Sequence, residues 1–233
     1  MRKGAIAAFA LALAPPMLAS PASAQVSASA ALVSDYRFRG VSLSNERPSL
    51  SLNLAYDHPG GLYGGGSAIV QDSRQGGVRM SGAIGYLGYA RRTAGGLSWD
   101  VGVSHQDLAV YAAQRYDLRY TEAYVGVARG RLSARLSYSP DYFPGSGDAL
   151  YASLDGALRP AEDWRLFGHL GLLAPLGGSD LPVRRRERVD LRLGVARQFD
   201  RCELSLAWTA AWPGPRQISQ QRSAIVVGAA IFF

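Results

Sequence analysis

Charged side chains of both signs recur within segments that otherwise alternate apolar and small or polar residues. If the segment around Arg135 is a strand, Arg135 lies on one of its faces and Leu132 and Leu136 lie on the other, because successive side chains point to opposite faces. If such strands form a β-barrel in a membrane, an arginine that faces lipid at mid-depth costs roughly 2–4 kcal/mol. The charged face is therefore expected to turn toward the inside of the barrel. Interleaved inner charges form either ion-pair ladders that plug a narrow barrel or the lining of a water-filled channel. The predicted pore-lining residues are Asn53, Arg79, Asp100, Glu122, Arg135, Asp155, Arg165, His169, Asp190, Arg192 and Glu203.

The densest charge cluster is the run 184–188, with four arginines and one glutamate. One interpretation is a solvated rim that binds lipopolysaccharide phosphates. The other is an extracellular mouth whose charge attracts anions toward the lumen. The two interpretations are compatible. The residues of this predicted mouth are Arg184, Arg185, Arg186 and Arg188.

The sequence offers little for catalysis. Among three histidines, His105 follows Ser104, but adjacent residues of a strand point to opposite faces, so the two cannot work as nucleophile and base. The glycine-rich run 60–66 lacks the Lys-Ser/Thr and the helix of a phosphate-binding loop. No spacing of His, Cys, Asp or Glu indicates a zinc or calcium site. We therefore predict no enzyme, no cofactor and no metal.

The elements that would position the charged residues are strands of period two. Repeated segments of about ten residues between turn residues predict an all-β, transmembrane, antiparallel up-and-down β-barrel of about 12 strands. No later segment approaches the roughly 20 consecutive apolar residues of a transmembrane helix. The predicted strands are roughly 26–36, 48–57, 62–72, 78–90, 97–105, 120–129, 132–140, 149–159, 165–174, 188–199, 202–212 and 223–233.

The links between these segments alternate in length, which is typical of a barrel with periplasmic turns and extracellular loops. Links after even-numbered segments are short, and those after odd-numbered segments are mostly long, with 73–77 the exception. Aromatic residues cluster at both strand ends, as expected of girdles at two membrane–water interfaces. The long links are predicted at 37–47, 106–119, 141–148, 175–187 and 213–222.

Both chain ends carry signals of export. Arg2 and Lys3 precede an apolar stretch, and Ala22-Ser23-Ala24 has the small-x-small pattern of a cleavage site, so residues 1–24 are predicted to be a removed signal peptide. The barrel would then occupy residues 25–233. Phe233 ends an alternating apolar strand and is predicted to be the signal read by the barrel assembly machinery. An exported chain meets no nucleic acid, so the net charge of +5 that remains after removal of Arg2 and Lys3 from the formal +7 is assigned to a lumen or loops. The single Cys202 excludes an internal disulfide.

Several stretches resemble the TorF family of porins, outer-membrane proteins of proteobacteria. The most specific is Val33-Ser34-Asp35-Tyr36-Arg37-Phe38-Arg39-Gly40-Val41-Ser42, and weaker ones lie at 55–64, 122–126 and 137–143. The resemblance spans essentially the whole mature chain and implies an outer-membrane barrel with a pore role. It implies no catalytic residues and no substrate.

Together these observations predict a porin-like channel in the bacterial outer membrane for passive diffusion of small hydrophilic solutes or ions. Its expected partners are outer-membrane lipid and lipopolysaccharide, the assembly machinery and the solutes themselves. The alternative is a closed structural or adhesive barrel whose extracellular loops bind surface partners. An outer-membrane hydrolase is disfavoured, because no nucleophile–base pair is present.

Overall fold

The computed structural model describes residues 25–72, 77–110, 116–142, 147–176, 187–212 and 222–233. The predicted signal peptide and the predicted mouth residues Arg184, Arg185 and Arg186 lie outside these ranges. Within them, every long element is a β-strand. The strands are β1 (Gln25–Val33), β2 (Arg37–Phe38), β3 (Val41–Ser42), β4 (Ser49–Asp57), β5 (Leu62–Asp72), β6 (Val78–Arg92), β7 (Leu97–Val110), β8 (Tyr116–Arg129), β9 (Leu132–Ser139), β10 (Ala149–Ala161), β11 (Trp164–Pro175), β12 (Arg188–Phe199), β13 (Cys202–Trp212) and β14 (Ser223–Phe232).

Twelve of these strands form one closed antiparallel barrel. Each pairs with its neighbour in the chain, and β1 pairs on one side with β4 and on the other with β14. The seam runs from Ser29 opposite Phe232 to Val33 opposite Gly228. The short strands β2 and β3 form a separate hairpin in the first link. The predicted closed barrel of about twelve strands is therefore confirmed.

The outer surface of the barrel is apolar, and the inner surface is small or polar. On β4, the outward Leu52 and Leu54 are 50% and 57% exposed, whereas the inward Ser51 is 8% exposed. The same alternation recurs on β11, where Leu170 and Leu172 point outward. A closed sheet leaves no unpaired edge, so its backbone groups are satisfied within the wall. An apolar outer band on such a wall is suited to contact with hydrocarbon.

The strand bounds differ from the prediction by more than two residues at two places. β1 ends at Val33, so residues 34–36 belong to the first link. The predicted long loop 106–119 is wrong, because β7 continues to Val110 and β8 starts at Tyr116. In this extension, the outward Asp107 and Arg119 form an ion pair at 2.7 Å, while inward Leu108 and Leu118 are buried. The outer face is thus polar there, and the inner face apolar.

The five short links lie at one end of the barrel, here called the turn end, and the longer links lie at the other, the loop end. The short links are 58–61, 93–96, 130–131, 162–163 and 200–201. Phe233 also lies at the turn end, where its backbone N–H donates to the carbonyl of Ala28 at 2.9 Å. Its side chain is 71% exposed.

Candidate functional site

The first link, residues 34–48, folds back into the barrel, and we call it the lumen loop. The carboxylate of Asp35 organises it by accepting hydrogen bonds from the Ser42 hydroxyl at 2.5 Å and the Ser44 hydroxyl at 3.0 Å. The Nε of Arg37 donates to the same carboxylate at 2.5 Å. Asp35, Ser42 and Ser44 are all buried. The prediction of a first long link is thus correct in position, but this link does not extend outward.

The tip of the lumen loop touches the barrel wall at β12 and β13. Gly40 has a φ of +74°, a conformation that favours glycine. A Cβ at this position would lie 2.7 Å from the Cβ of Ala211 and 2.9 Å from that of Asp190. The backbone therefore approaches β12 and β13 so closely that only a residue without a side chain fits.

Arg39 anchors the lumen loop to the opposite side of the wall. Its Nη2 donates to Oε1 of Glu122 on β8 at 2.6 Å, and the two side chains are 2% and 5% exposed. Burial opposes the charge of Arg39, but Tyr120, Tyr142 and Glu122 outweigh this effect and hold the pKa of Arg39 above its usual range. The guanidinium also lies within cation–π distance of the rings of Phe38, Tyr120, Tyr142 and Tyr151, the last at 3.8 Å.

An apolar cluster completes the seat of the lumen loop. Phe38 and Leu43, each 5% exposed, contribute from the loop itself. The wall contributes side chains from five strands and one link, so the loop is packed across the lumen rather than along one side. These wall residues are Ile69, Leu108, Leu118, Tyr120, Tyr142, Ala149, Tyr151 and Leu173.

Two spaces of unequal size adjoin the lumen loop inside the barrel. A cavity of about 690 Å³ extends from the loop toward the turn end. A second space, of about 50 Å³, lies beside Arg39 and Glu122. The large cavity is lined by loop residues and by the inward face of most strands, including Ser29, Asn53, Asp100, Arg135, Asp155, Arg165, His169 and Arg192.

Hydrogen-bonded charges tie neighbouring strands together along the cavity wall. Asp100 accepts from the Tyr63 hydroxyl at 2.7 Å and from Nη2 of Arg135 at 2.9 Å. The Tyr63 and Tyr124 hydroxyls are 2.8 Å apart. The guanidinium of Arg135 also lies over the Tyr124 ring, 4.3 Å from its centroid. This cluster spans β5 to β9 and leaves its charges paired.

A second cluster centres on His169 of β11. Its Nδ1 lies 2.7 Å from Asp155, and its Nε2 lies 3.1 Å from Asp190 and 3.0 Å from the Tyr151 hydroxyl. Asp190 is only 2% exposed and also accepts from Tyr151. Both ring nitrogens are thus engaged, so the imidazole is held as a bridge between β10 and β12.

A third group lies nearer the turn end. Nη2 of Arg165 donates to both carboxylate oxygens of Glu203, at 2.7 and 2.8 Å. Arg192 shares the Phe167 ring with Arg165, their guanidiniums lying 5.3 and 4.9 Å from its centroid. Arg192 forms no ion pair with the carboxylates of the described ranges.

The remaining predicted site residues lie apart from these clusters. Asn53 bonds to the Ser29 and Ser67 hydroxyls in the wall. Arg79 is exposed at the loop end of β6 and does not line the cavity. Arg188, the one predicted mouth residue in the described ranges, is half-buried at the start of β12.

Sequence reasoning missed the loop side of the site. Asp35, Arg37 and Arg39 line the cavity together with Tyr151, and none of them was predicted to do so. The available signal was the stretch 33–42, which carried the family resemblance but was interpreted as a strand end and an exposed loop. The alternating charges and the glycine of this stretch are the sequence features that could have indicated a loop inside the barrel.

Ser104 and His105 do not contact each other as nucleophile and base. His105 lies 2.9 Å from the Thr121 hydroxyl, while the Ser104 hydroxyl accepts from Gln106, so the adjacent pair is engaged separately. The described ranges contain no group of His, Cys, Asp and Glu suited to hold a metal ion. They also contain no helix long and apolar enough to cross a membrane.

Comparison with solved structures shows the same kind of barrel at low sequence identity. The KdgM porin superposes with a TM-score of 0.53 at 15% identity, covering 89% of this chain and 99% of its own. KdgM in complex with disordered oligogalacturonate gives 0.51 at 13% identity, covering 89% and 98%. A structure from a study of in-meso crystallization of membrane proteins gives 0.52 at 11% identity, covering 89% and 83%. These likenesses show the fold.

Comparison of the sequence with family models identifies a family. It does not give the name TorF, and that name stays a prediction. No curated protein matches the chain. A family model described as a bacterial protein of unknown function, Gcw_chp, matches residues 18–229. The chain therefore belongs to the Gcw_chp family.

Proposed function

We propose that the chain is a porin-like channel of the bacterial outer membrane, through which small hydrophilic solutes or ions diffuse passively. The observation that carries this proposal is the cavity of about 690 Å³ lined by charged and polar side chains inside a wall that is apolar outside. Charged and polar side chains around a space of this size are suited to contact with water. The resemblance to TorF porins supports the same function.

Selectivity in such a channel would depend on charged groups at its narrowest part. The lumen loop makes that part, because Arg39 and Gly40 reach opposite walls. Those predicted pore-lining residues that line the large cavity, such as Asp100, Arg165 and Arg192, then act below the constriction. We also propose that Arg184, Arg185, Arg186 and Arg188 contact lipopolysaccharide phosphates or attract anions at the mouth. The proposed role of Phe233 is recognition by the assembly machinery.

Planar-bilayer recordings with the folded barrel test the channel. Discrete conductance steps with a linear current–voltage relation are expected. Silence from protein that is folded, as judged by its altered gel mobility before boiling, would contradict the proposal. Replacement of Arg184, Arg185 and Arg186 by serine should change the reversal potential in a KCl gradient if the mouth attracts anions.

A closed structural or adhesive barrel is the second candidate. The buried Arg39–Glu122 pair and the apolar seat of the lumen loop favour it, because they fill the lumen at the loop end. This candidate predicts no conductance from wild-type protein and conductance after deletion of residues 36–44. Steps from the wild type would rule it out.

A further inference from the structure

Arginines are concentrated on one side of the large cavity. Four neighbouring strands and the turn before them contribute five, while the wall formed by β14, β1 and β4 faces the cavity with small uncharged side chains such as Ser29, Ala31 and Ser51. The cavity therefore has a charged side, where Asp155 and Asp190 lie among the arginines, and an uncharged side. The five are Arg131, Arg135, Arg159, Arg165 and Arg192.

Only part of this positive charge is compensated within the wall. Arg135 pairs with Asp100, and Arg165 pairs with Glu203. Among the described residues, no ion pair involves Arg131, Arg159 or Arg192. Arg131 and Arg159 are exposed near the turns, where water solvates them, but Arg192 is half-buried on β12. Among these five arginines, Arg192 is therefore the half-buried one that has no ion pair of its own.

Arg192 adjoins a flat apolar surface. The Phe167 ring lies over Gly194, where a Cβ would collide with it. The guanidiniums of Arg192 and Arg165 lie over this ring, 5.3 and 4.9 Å from its centroid. Arginine binds carboxylates through charge-assisted, often bidentate hydrogen bonds, and an aromatic face accepts the carbon skeleton beside them.

We propose that Arg192 and Phe167 form a binding site for a small organic carboxylate that passes through the lumen. Arg192 binds the carboxylate, Phe167 contacts the carbon chain, and Arg131 and Arg159 attract the anion from the turn end. Such a site would define a class of solute for the proposed channel, and this inference rests on that proposed function. The apolar ring favours an organic anion over inorganic phosphate, because phosphate has no carbon skeleton to place there.

The test uses the full folded barrel in detergent and calorimetric titration with sodium gluconate, sorbitol and inorganic phosphate. Gluconate is expected to bind, and sorbitol, its neutral analogue, is not. Arg192→Gln should weaken gluconate binding by about tenfold or more, the effect of losing one charge-assisted contact. Arg197→Gln is the matched control, since Arg197 lies on the same strand, is exposed and pairs with Asp163 at 2.8 Å. It should bind as the wild type does.

Planar-bilayer recordings on the same preparation separate the two proposals. Gluconate binding without conductance steps supports the site and contradicts the channel. Conductance steps from a barrel that binds no gluconate contradict the site and leave the channel standing. Equal gluconate affinity in Arg192→Gln, equal binding of sorbitol, or binding of phosphate alone would each overturn the site.

Discussion

Replacing Glu122 by glutamine should release the lumen loop. The Arg39–Glu122 ion pair is 2.6 Å long, and its side chains are 2% and 5% exposed. Removing one charge of a buried pair costs about 3–5 kcal/mol, because the partner stays charged without compensation. Glutamine keeps the shape of the side chain and can still accept a hydrogen bond, so we expect a loss of about 3 kcal/mol, the lower end of this range. At about 1.4 kcal/mol per factor of ten, the docked-to-undocked ratio of the loop falls about a hundredfold.

Single-channel recording measures this release directly. If the docked loop narrows the passage, Glu122→Gln should show a larger conductance level and spend more time in it. Glu203→Gln is the control. It also breaks a buried ion pair, because Glu203 is 3% exposed and pairs with Arg165, but both residues lie on barrel strands and neither holds the lumen loop. Folded Glu122→Gln protein with wild-type conductance levels and dwell times would refute the assignment of Arg39 as the anchor.

Three further predictions follow from the wall and the loop tip. Unboiled protein should migrate differently from boiled protein in a detergent gel, because a closed hydrogen-bonded sheet resists detergent, and identical mobility would contradict closure. Gly40→Val should prevent docking of the loop, since φ is +74° and its Cβ would overlap Ala211, and the wide conductance level should dominate; an unchanged level would count against the tip contact. Leu170→Arg should destabilise the barrel by about 2–4 kcal/mol in a urea titration in lipid vesicles, because Leu170 points outward, whereas Ser29→Arg inside the lumen should cost less. Equal losses would indicate that the outer surface does not meet hydrocarbon.

The barrel was predictable because its membrane-facing and lumen-facing residues differ in polarity along most of each strand. Leu132 and Leu136 alternate with Arg135, and that contrast alone gives the strand and its faces. The contrast reverses at the loop end of β7 and β8. There the outer face carries Asp107 and Arg119, and the inner face packs Leu108 against the lumen loop. Because charged residues on the outer face are not expected of a membrane strand, the sequence pattern there predicts a loop.

The candidate site was predictable only where it belongs to the wall. Asp100, His169 and Glu203 follow from strand parity, but the lumen loop has no period that separates an inserted link from an exposed one. Arg39 has the character of a solvated loop residue, and its burial depends on Glu122, 83 positions away. A contact between such distant residues cannot be inferred from local pattern.

The lumen loop has a consequence for the order in which the barrel can form. The loop follows the first strand, yet the surface that receives its tip is made by Asp190 on β12 and Ala211 on β13. That surface exists only once β12 and β13 have paired, and the pairing of β14 with β1 encloses it. Contacts so distant in sequence are slow to form. A sheet in which β12 and β13 have not yet paired would therefore hold its charged loop undocked, whichever strands join first.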